Sequence, residues 1–575
     1  MSDKTRRDLL ISAGALAATS LACGGGPKNP SEKAKRAHKE PAMPPPPRGG
    51  KATTAQGGTL FMPAEELDGT PPTAWTERPE WMRRAPGIYN PTPVTAGAST
   101  LLFGHRELYA MPTRISHFRE LPKFLDEAQK LGTNILYIVD TYQGPDDWPP
   151  AKWRLWKETY RIRDDLGGAK ALKRAIAEVH ERGGKVIMYV SGWALHVDSE
   201  LGKKHGRDWA IIQNGEPTDR PYKDNYMPCT YVEAWQDHIV SICEGYARDL
   251  GADGVHVDSL GNQRNWKCES TEHGHEPRDP TAFNLGCQQL LERVRAAMRK
   301  HVPEAVVICE GAKLSRLFKG GLDGAQDWGI NKLMTRWSWN QAGRTSIYCA
   351  NWSLDDMHQI AALGHKWMLS PYWLSAPTEP TVTEWIAAHV PEPDLGGTEK
   401  SRRNELERIY RGLHIYRNAA LLEGRTVPSL DDLTHRRHDG EEASLTEAGA
   451  RTHLAALRDR ARALDEALGG PVDPSSITTH LRRVMQAREA LSPHIDDGAS
   501  VSLLATVPGK AAAYMWSQSS KTLALVNVSD TEQHIDLTTV GTIRGTFRDA
   551  ISGETVEISS ATTVPAHRLM FVRPA

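Results

Sequence analysis

A CxxC pair, a long apolar run, an excess of charge of one sign and a glycine-rich phosphate loop are all missing from this 575-residue chain, and each absence removes a class of function. No stretch of about 18 or more apolar residues follows the N-terminus, which excludes a bundle of membrane-spanning helices. Seventy basic residues stand against 71 acidic ones, a formal net charge of -1, so no field of one sign draws the molecule to nucleic acid or to anionic lipid. After the candidate strands come "TYQG", "SGWALH", "SLGNQ" and "EGAKL", none of them a phosphate-cradling loop, and nucleotide chemistry loses its usual support. The cysteines show no CxxC pair and no Cys/His spacing of a zinc site, so neither a metal nor a cofactor is expected. Cys268 with Cys287 is the first disulfide to expect, because both fall in one loop region, while Cys243, Cys309 and Cys349 lie in apolar runs as buried thiols. What the chain does have in quantity is tryptophan: 17 indoles, most of them core by the ordinary behaviour of large aromatics, the remainder candidate platforms for the apolar faces of sugars.

The N-terminal residues 1–23, with "TRRDLLISAGALAATSLAC", pair Arg6 with Arg7 ahead of a short apolar run and small residues that lead to Cys23. This resembles a bacterial twin-arginine export signal ending in a lipoprotein processing site, with Ser20 where such sites carry Leu and Leu21 one place later. The resemblance implies export to the cell envelope or beyond, with lipidation of Cys23 as the one link to a membrane. Residues 24–58 are rich in Gly, Pro, Lys and Ala and nearly free of large apolar side chains, a composition that cannot repay the entropy of ordering, so a disordered tether is expected. Residues 59–79 form a lead-in.

From 80 to 395 helical and strand patterns alternate. "LPKFLDEAQKLGTNILYIVD", "AKALKRAIAEVHERGGKVIMYVSGW", "EAWQDHIVSICEGYARDLGADGVHVD" and "CQQLLERVRAAMRKHVPEAVVICE" each run helix, stop, apolar strand. Fully apolar strands joined by helices predict parallel strands buried on both faces. Further strands are expected at 100–105, 322–328, 346–351 and 365–373. Eight strands favour a closed α/β barrel of the (β/α)8 TIM type over an open sheet. Residues 396–498 read as a charged helical segment, its second half an accessory hairpin arm. Residues 499–575 change to short alternating strands with SG and SD turns, a small C-terminal antiparallel β-sandwich.

In such a barrel the chemistry gathers where the strands end. The strand ends here offer Asp140; Ser191, Gly192 and Trp193; Asp258; Glu310; and Asp327 with Trp328. Acid, amide and indole suit acetal cleavage, which needs one acid to protonate the leaving oxygen and one carboxylate to attack or to activate water. Asp258 and Glu310 end successive strands, close enough for the carboxyl separation of about 5 to 5.5 Å that a retaining mechanism uses. His256 shares the face of Asp258 by the two-residue period and reads equally as a core histidine or a substrate contact. Asp140, Trp193, His256, Asp327 and Trp328 are the expected substrate contacts, and the substrate an oligo- or polysaccharide.

The segments "DNYMPCTYVEAWQDHIVSICEGYARDLGADGVHVDSLG" and "VVICEGAKLSRLFKGGLDGAQDW" resemble glycoside-hydrolase barrels related to the α-amylase and α-galactosidase superfamily. The resemblance implies a glycosidase with Asp258 as nucleophile and Glu310 as general acid/base. The chain departs from amylases in carrying His256 where they place Arg two residues before the nucleophile, and in lacking an Asn-His-Asp triplet at the seventh strand. The rival expectation from a different class is a surface lipoprotein that binds carbohydrate on the same barrel without catalysis.

Overall fold

The computed structural model of the protein describes residues 78–91, 115–139, 141–148, 153, 156–218, 224–260, 266–310, 322–327, 346–349, 354–369, 377–428, 430, 445–493 and 502–575, with breaks at 394, 398, 518 and 538–542. The segments read as signal and tether lie outside these residues, as do Cys23, Asp140, Trp328 and the stretch 100–105.

Eight parallel strands pair into a closed ring: β1 (Gly87–Tyr89), β2 (Ile135–Ile138), β3 (Lys185–Ser191), β4 (Gly254–Asp258), β5 (Val306–Glu310), β6 (Gly324–Asp327), β7 (Ser346–Cys349) and β8 (Lys366–Leu369), in the order β1-β8-β7-β6-β5-β4-β3-β2. The first strand is a correction. It is the three-residue Gly87–Tyr89, which pairs with Trp367 to Leu369 on one side and with Leu136 on the other. Three residues carry no periodic signal, so the position was not legible beforehand.

The two-residue period of each strand sorts its side chains into two cores. Ile88, Ile135, Tyr137, Ile187, Val306, Ile308 and Met368 pack together inside the ring. Leu136, Val186, Met188, Val190, Val255, Val257, Val307 and Cys309 face outward into the main core shared with the helices. Because both faces are buried, the strands read as unbroken apolar runs rather than as alternation. The covering helices include α1 (Leu121–Lys130), α2 (Gly168–Glu181), α3 (Glu200–Trp209), α4 (Glu233–Gly245), α5 (Ala282–Arg299) and α6 (Leu354–Ala362). A glycine ends α2 as the helix rules require: Gly183 adopts a left-handed φ of 73°, and the chain turns directly into β3.

Helices α7 (Val382–His389), α8 (Glu399–Leu422), α9 (Glu447–Leu468) and α10 (Ser476–Ala490) follow. Instead of forming a separate arm, they join the main core through Ile409, Leu413, Leu464, Leu481 and Met485. Arg488 on α10 is buried and donates from Nη2 to the Gly364 carbonyl at 2.9 Å, just ahead of β8.

The C-terminal strands are antiparallel: β9 (Ser502–Val507), β10 (Ala511–Ser517), β11 (Thr522–Asn527), β12 (Gln533–Ile535), β13 (Gly545–Asp549), β14 (Thr555–Ile558), β15 (Thr562–Val564) and β16 (Leu569–Pro574). Six form one sheet in the order β9-β10-β11-β16-β13-β14, and β12 pairs with β15. Ala513, Leu525, Ile535, Phe547 and Val564 make a second core between these sheets. The other face meets the barrel. Trp516 packs at a tilt against Phe571 and gives its indole N–H to the Ala362 carbonyl at 2.7 Å, while His567 Nδ1 meets Asp355 Oδ1 of α6 at 2.9 Å.

Candidate active site

Strand register builds the site. Ser191 on β3 pairs with Asp258 on β4, and Glu310 on β5 pairs with Gln326 on β6. Between these pairs β4 and β5 run in register up to Val257 with Cys309, so Asp258 and Glu310 are the next residues on adjacent strands. Ser191, Asp258, Glu310 and Gln326 therefore form one row at the C-terminal end of the ring. Neighbouring members of such a row are about 4.8 Å apart. His256 and Ile308, two residues below the carboxylates, face the interior, which puts the two carboxylates on the interior side by the same period. Both are half-buried.

Asp258 is held from β3. The Tyr189 hydroxyl donates to Asp258 Oδ2 at 2.8 Å, and Lys157 Nζ donates to the same hydroxyl at 3.1 Å. The Lys157 ammonium also lies 4.6 Å from the centre of the Tyr189 ring and 4.9 Å from that of Tyr142, whose hydroxyl it reaches as well. The cation thus polarises Tyr189 toward donation to the carboxylate. Tyr160, fully buried, accepts from the Ser191 N–H at 2.8 Å; burial above all, with smaller contributions from Tyr246 and then Asp258, pushes its phenol well above the usual range, so it stays neutral.

His256 is buried below Asp258, with Nδ1 2.7 Å from the Tyr137 hydroxyl and Nε2 without a hydrogen-bond partner among the described residues. Desolvation lowers its pKa to about 4 against the opposing pull of Asp258, so the imidazole is neutral near pH 7. Its surroundings are those of a core histidine supporting the floor of the mouth.

The backbone around Asp258 is constrained. Ser259 takes a left-handed φ of 71°, a conformation that costs a non-glycine residue roughly 1 kcal/mol or more and is concentrated at functional sites. The Gly192 N–H donates to the Asp258 carbonyl at 3.2 Å, and a Cβ at Gly192 would stand 2.6 Å from Val257 Cγ1. Only glycine allows β3 to close on β4 there.

The other expected contacts fall differently. Trp193 is 2% exposed, its ring covered by Trp266 at 5.9 Å and Phe283 at 6.5 Å, an environment that leaves no indole face for a sugar. Asp327 ends β6 opposite Tyr348, one residue beyond the row. Asp140 and Trp328 lie outside the described residues. Tyr189 and Lys157 were not anticipated. Tyr189 could have been found by counting two residues back from Ser191; Lys157 sits in a loop with no pattern to mark it.

The cysteine expectations also change. Cys268 and Cys287 are free thiols rather than a disulfide, and Cys287 Sγ donates to Thr230 Oγ1 at 3.7 Å. Cys268 gathers instead with Cys229, His273 and His275, their ligand atoms all within 4.8 Å of one another, a donor set that linear spacing did not reveal.

Comparison with known proteins places this geometry among relatives of low identity. A family model described as a domain of unknown function (DUF6259) matches residues 166–314, the stretch that carries β3, β4 and β5 with both carboxylates. A protein of Bacteroides thetaiotaomicron named "Putative glycoside hydrolase" is 25% identical over 134 residues, 22% of this chain and 20% of its own length. The chain thus spans about a fifth of the curated relative it matches. Among solved structures, Bacillus licheniformis trehalose-6-phosphate hydrolase superposes with a TM-score of 0.52 at 14% identity, covering 86% of this chain and 100% of that one. A trehalulose synthase variant gives 0.50 at 13%, covering 86% and 99%. At these identities the likeness is one of fold alone.

Proposed function

We propose that this protein is a retaining glycoside hydrolase acting on an oligo- or polysaccharide, with Asp258 as nucleophile and Glu310 as general acid/base, on a full (β/α)8 barrel. The observation that carries the reading is the register that sets these two carboxylates side by side on adjacent strands. Their strand spacing suits the carboxyl separation of about 5 to 5.5 Å used by retaining enzymes rather than the wider gap that leaves room for a water.

In the proposed first step, an Asp258 oxygen bonds to the anomeric carbon while the glycosidic bond breaks and the Glu310 carboxyl gives its proton to the departing oxygen. Tyr189 occupies Oδ2 of Asp258, which leaves Oδ1 for the attack. In the second step the Glu310 carboxylate takes a proton from water, the water oxygen bonds to the anomeric carbon, and Asp258 departs as carboxylate. The hydrogen bond from Tyr189, whose oxygen Lys157 also contacts, orients Asp258 for attack and meets the negative charge that returns to it on departure.

The experiment is a screen of the purified protein against chromogenic α- and β-glycosides, followed by Asp258→Asn and Glu310→Gln on whatever is cleaved. Asp258→Asn should abolish turnover, and Glu310→Gln should lower kcat by about 10²- to 10⁴-fold. Full activity in both variants contradicts the assignment. Glycan binding without product release by the parent protein would instead favour a carbohydrate-binding role for the same mouth. Residues 1–23 carry the companion proposal of export, with Cys23 as a lipid-anchor point.

A further inference from the structure

Outside the carboxylate row, two cysteines and two histidines from separate segments converge. Cys229 precedes α4, and Cys268, His273 and His275 lie in the loop between β4 and α5. Cys229, Cys268 and His273 are buried, and His275 is half-buried. The Cys268 Sγ to His273 Nδ1 distance is 3.3 Å, and the Cys229 Sγ to His275 Nε2 distance is 3.5 Å. A tetrahedral zinc ion with Zn–S of about 2.3 Å and Zn–N of about 2.0 to 2.1 Å would separate a sulfur from a nitrogen by about 3.6 Å. The observed spacings are close to that edge length.

The far side of each imidazole supplies an independent observation. His273 Nε2 lies 2.7 Å from the Asp208 carbonyl, and His275 Nδ1 lies 2.9 Å from the Glu276 carbonyl. A carbonyl only accepts, so in each ring the outer nitrogen carries the proton. In the neutral rings the inner nitrogens, Nδ1 of His273 and Nε2 of His275, then present lone pairs toward the two sulfurs. This is the arrangement of metal-bound histidines, whose second N–H is given to a backbone carbonyl. The Ile212 N–H points to Cys268 Sγ at 3.4 Å, a donor suited to a thiolate.

We propose that Cys229, Cys268, His273 and His275 bind one zinc-class divalent cation as a structural site. Two thiolates and two neutral imidazoles balance a dication, which makes the charge tolerable in a mostly buried position. Four protein ligands close the coordination sphere, the mark of a structural rather than a catalytic ion. The two sulfurs are 39 residues apart (268 − 229 = 39), and the ion would join the loop that leaves Asp258 to the excursion after β3. Contacts already lie along that seam: the Glu269 N–H donates to the Ile212 carbonyl at 2.9 Å and His273 Nε2 to the Asp208 carbonyl at 2.7 Å. The ion would therefore hold a wall of the mouth without entering the chemistry.

The test is metal analysis of the full chain, purified without chelator and then equilibrated with Zn²⁺ and desalted. About one zinc per chain is expected, with Cys229 and Cys268 protected from alkylation until a chelator is added. Cobalt(II) in place of zinc should give the visible absorption of a tetrahedral thiolate complex. Cys268→Ser should lower zinc retention at least tenfold, while Cys243→Ser, a buried thiol outside the cluster, should retain it. If Cys268→Ser does not fold, the parent protein still decides. Less than a tenth of an equivalent of zinc after equilibration overturns the proposal, as does a Cys229–Cys268 disulfide in the freshly isolated protein.

Discussion

At the scale of single residues, the candidate site is a carboxylate whose charge is provided for. Tyr189 and Lys157 form a short relay that ends on Asp258 Oδ2, so removing the phenol should be felt in the chemistry. A hydrogen bond to a charged group is worth about 1.5 to 3 kcal/mol, so Tyr189→Phe should lower kcat/KM by roughly 10- to 150-fold. Because the phenol is bonded to the carboxylate proposed to attack, the loss should fall on kcat with KM little changed. A loss confined to KM would show that Tyr189 is only packing. Trp193 gives the opposite lesson, since an indole at a strand end has proved to be covered by Trp266 and Phe283.

At the scale of elements, the two ends of the barrel strands do different work. Asp258 closes the C-terminal end of β4, while Asp253, just before its first residue, is buried and accepts from Lys185 Nζ at 2.9 Å, His180 Nε2 at 2.7 Å and the Val186 N–H at 2.9 Å. Asp323 repeats the device before β6, with Arg295 at 3.0 Å, Arg299 at 3.3 Å and the Val307 N–H at 2.9 Å. Breaking such a buried cluster by removing one partner typically costs about 3 to 5 kcal/mol. Asp253→Ala should therefore lower the unfolding free energy obtained from urea titration by that amount while leaving the activity per folded molecule unchanged; the reverse pattern would place Asp253 in the site. The same split explains what could be read in advance. Strands β2, β3, β4, β5 and β8 were legible because burial on both faces makes apolar runs, and β1 was not because three residues make no run. Asp258 and Glu310 were legible as charges ending such runs. The Cys and His cluster was not, because its ligands come from two segments joined only in space and Cys268-x4-His273-x-His275 fits no familiar zinc spacing.

At the scale of the whole molecule, the chain folds many imidazoles into its interior in the neutral form. Desolvation is the leading cause in each case: it lowers His256 to about 4 and His365, His414 and His480 to about 3. An unfolded histidine titrates near 6.5, so above that pH neither state binds the proton and this contribution to stability is complete. Below it the unfolded chain binds protons that the folded chain refuses, and stability falls by up to about 1.4 kcal/mol per pH unit for each group until the folded pKa is reached. His567, whose pKa is raised despite desolvation through Asp355 and Asp530, works in the opposite sense. Urea midpoints should accordingly drop steeply between about pH 6.5 and pH 4; a flat profile across that window would mean that the histidines are solvated. Because Trp516 and His567 tie the C-terminal sheets to α6 of the barrel, the loss should appear as one transition rather than two.

The most direct measurement of the proposed chemistry is to trap the covalent intermediate. A slow-hydrolysing activated fluoroglycoside of a sugar the protein cleaves, followed by digestion and mass spectrometry, should leave one glycosyl group on the peptide that contains Asp258 and none on the same peptide of Asp258→Asn. A label on a different carboxylate, or hydrolysis that inverts the anomeric centre without any label, would contradict the assignment.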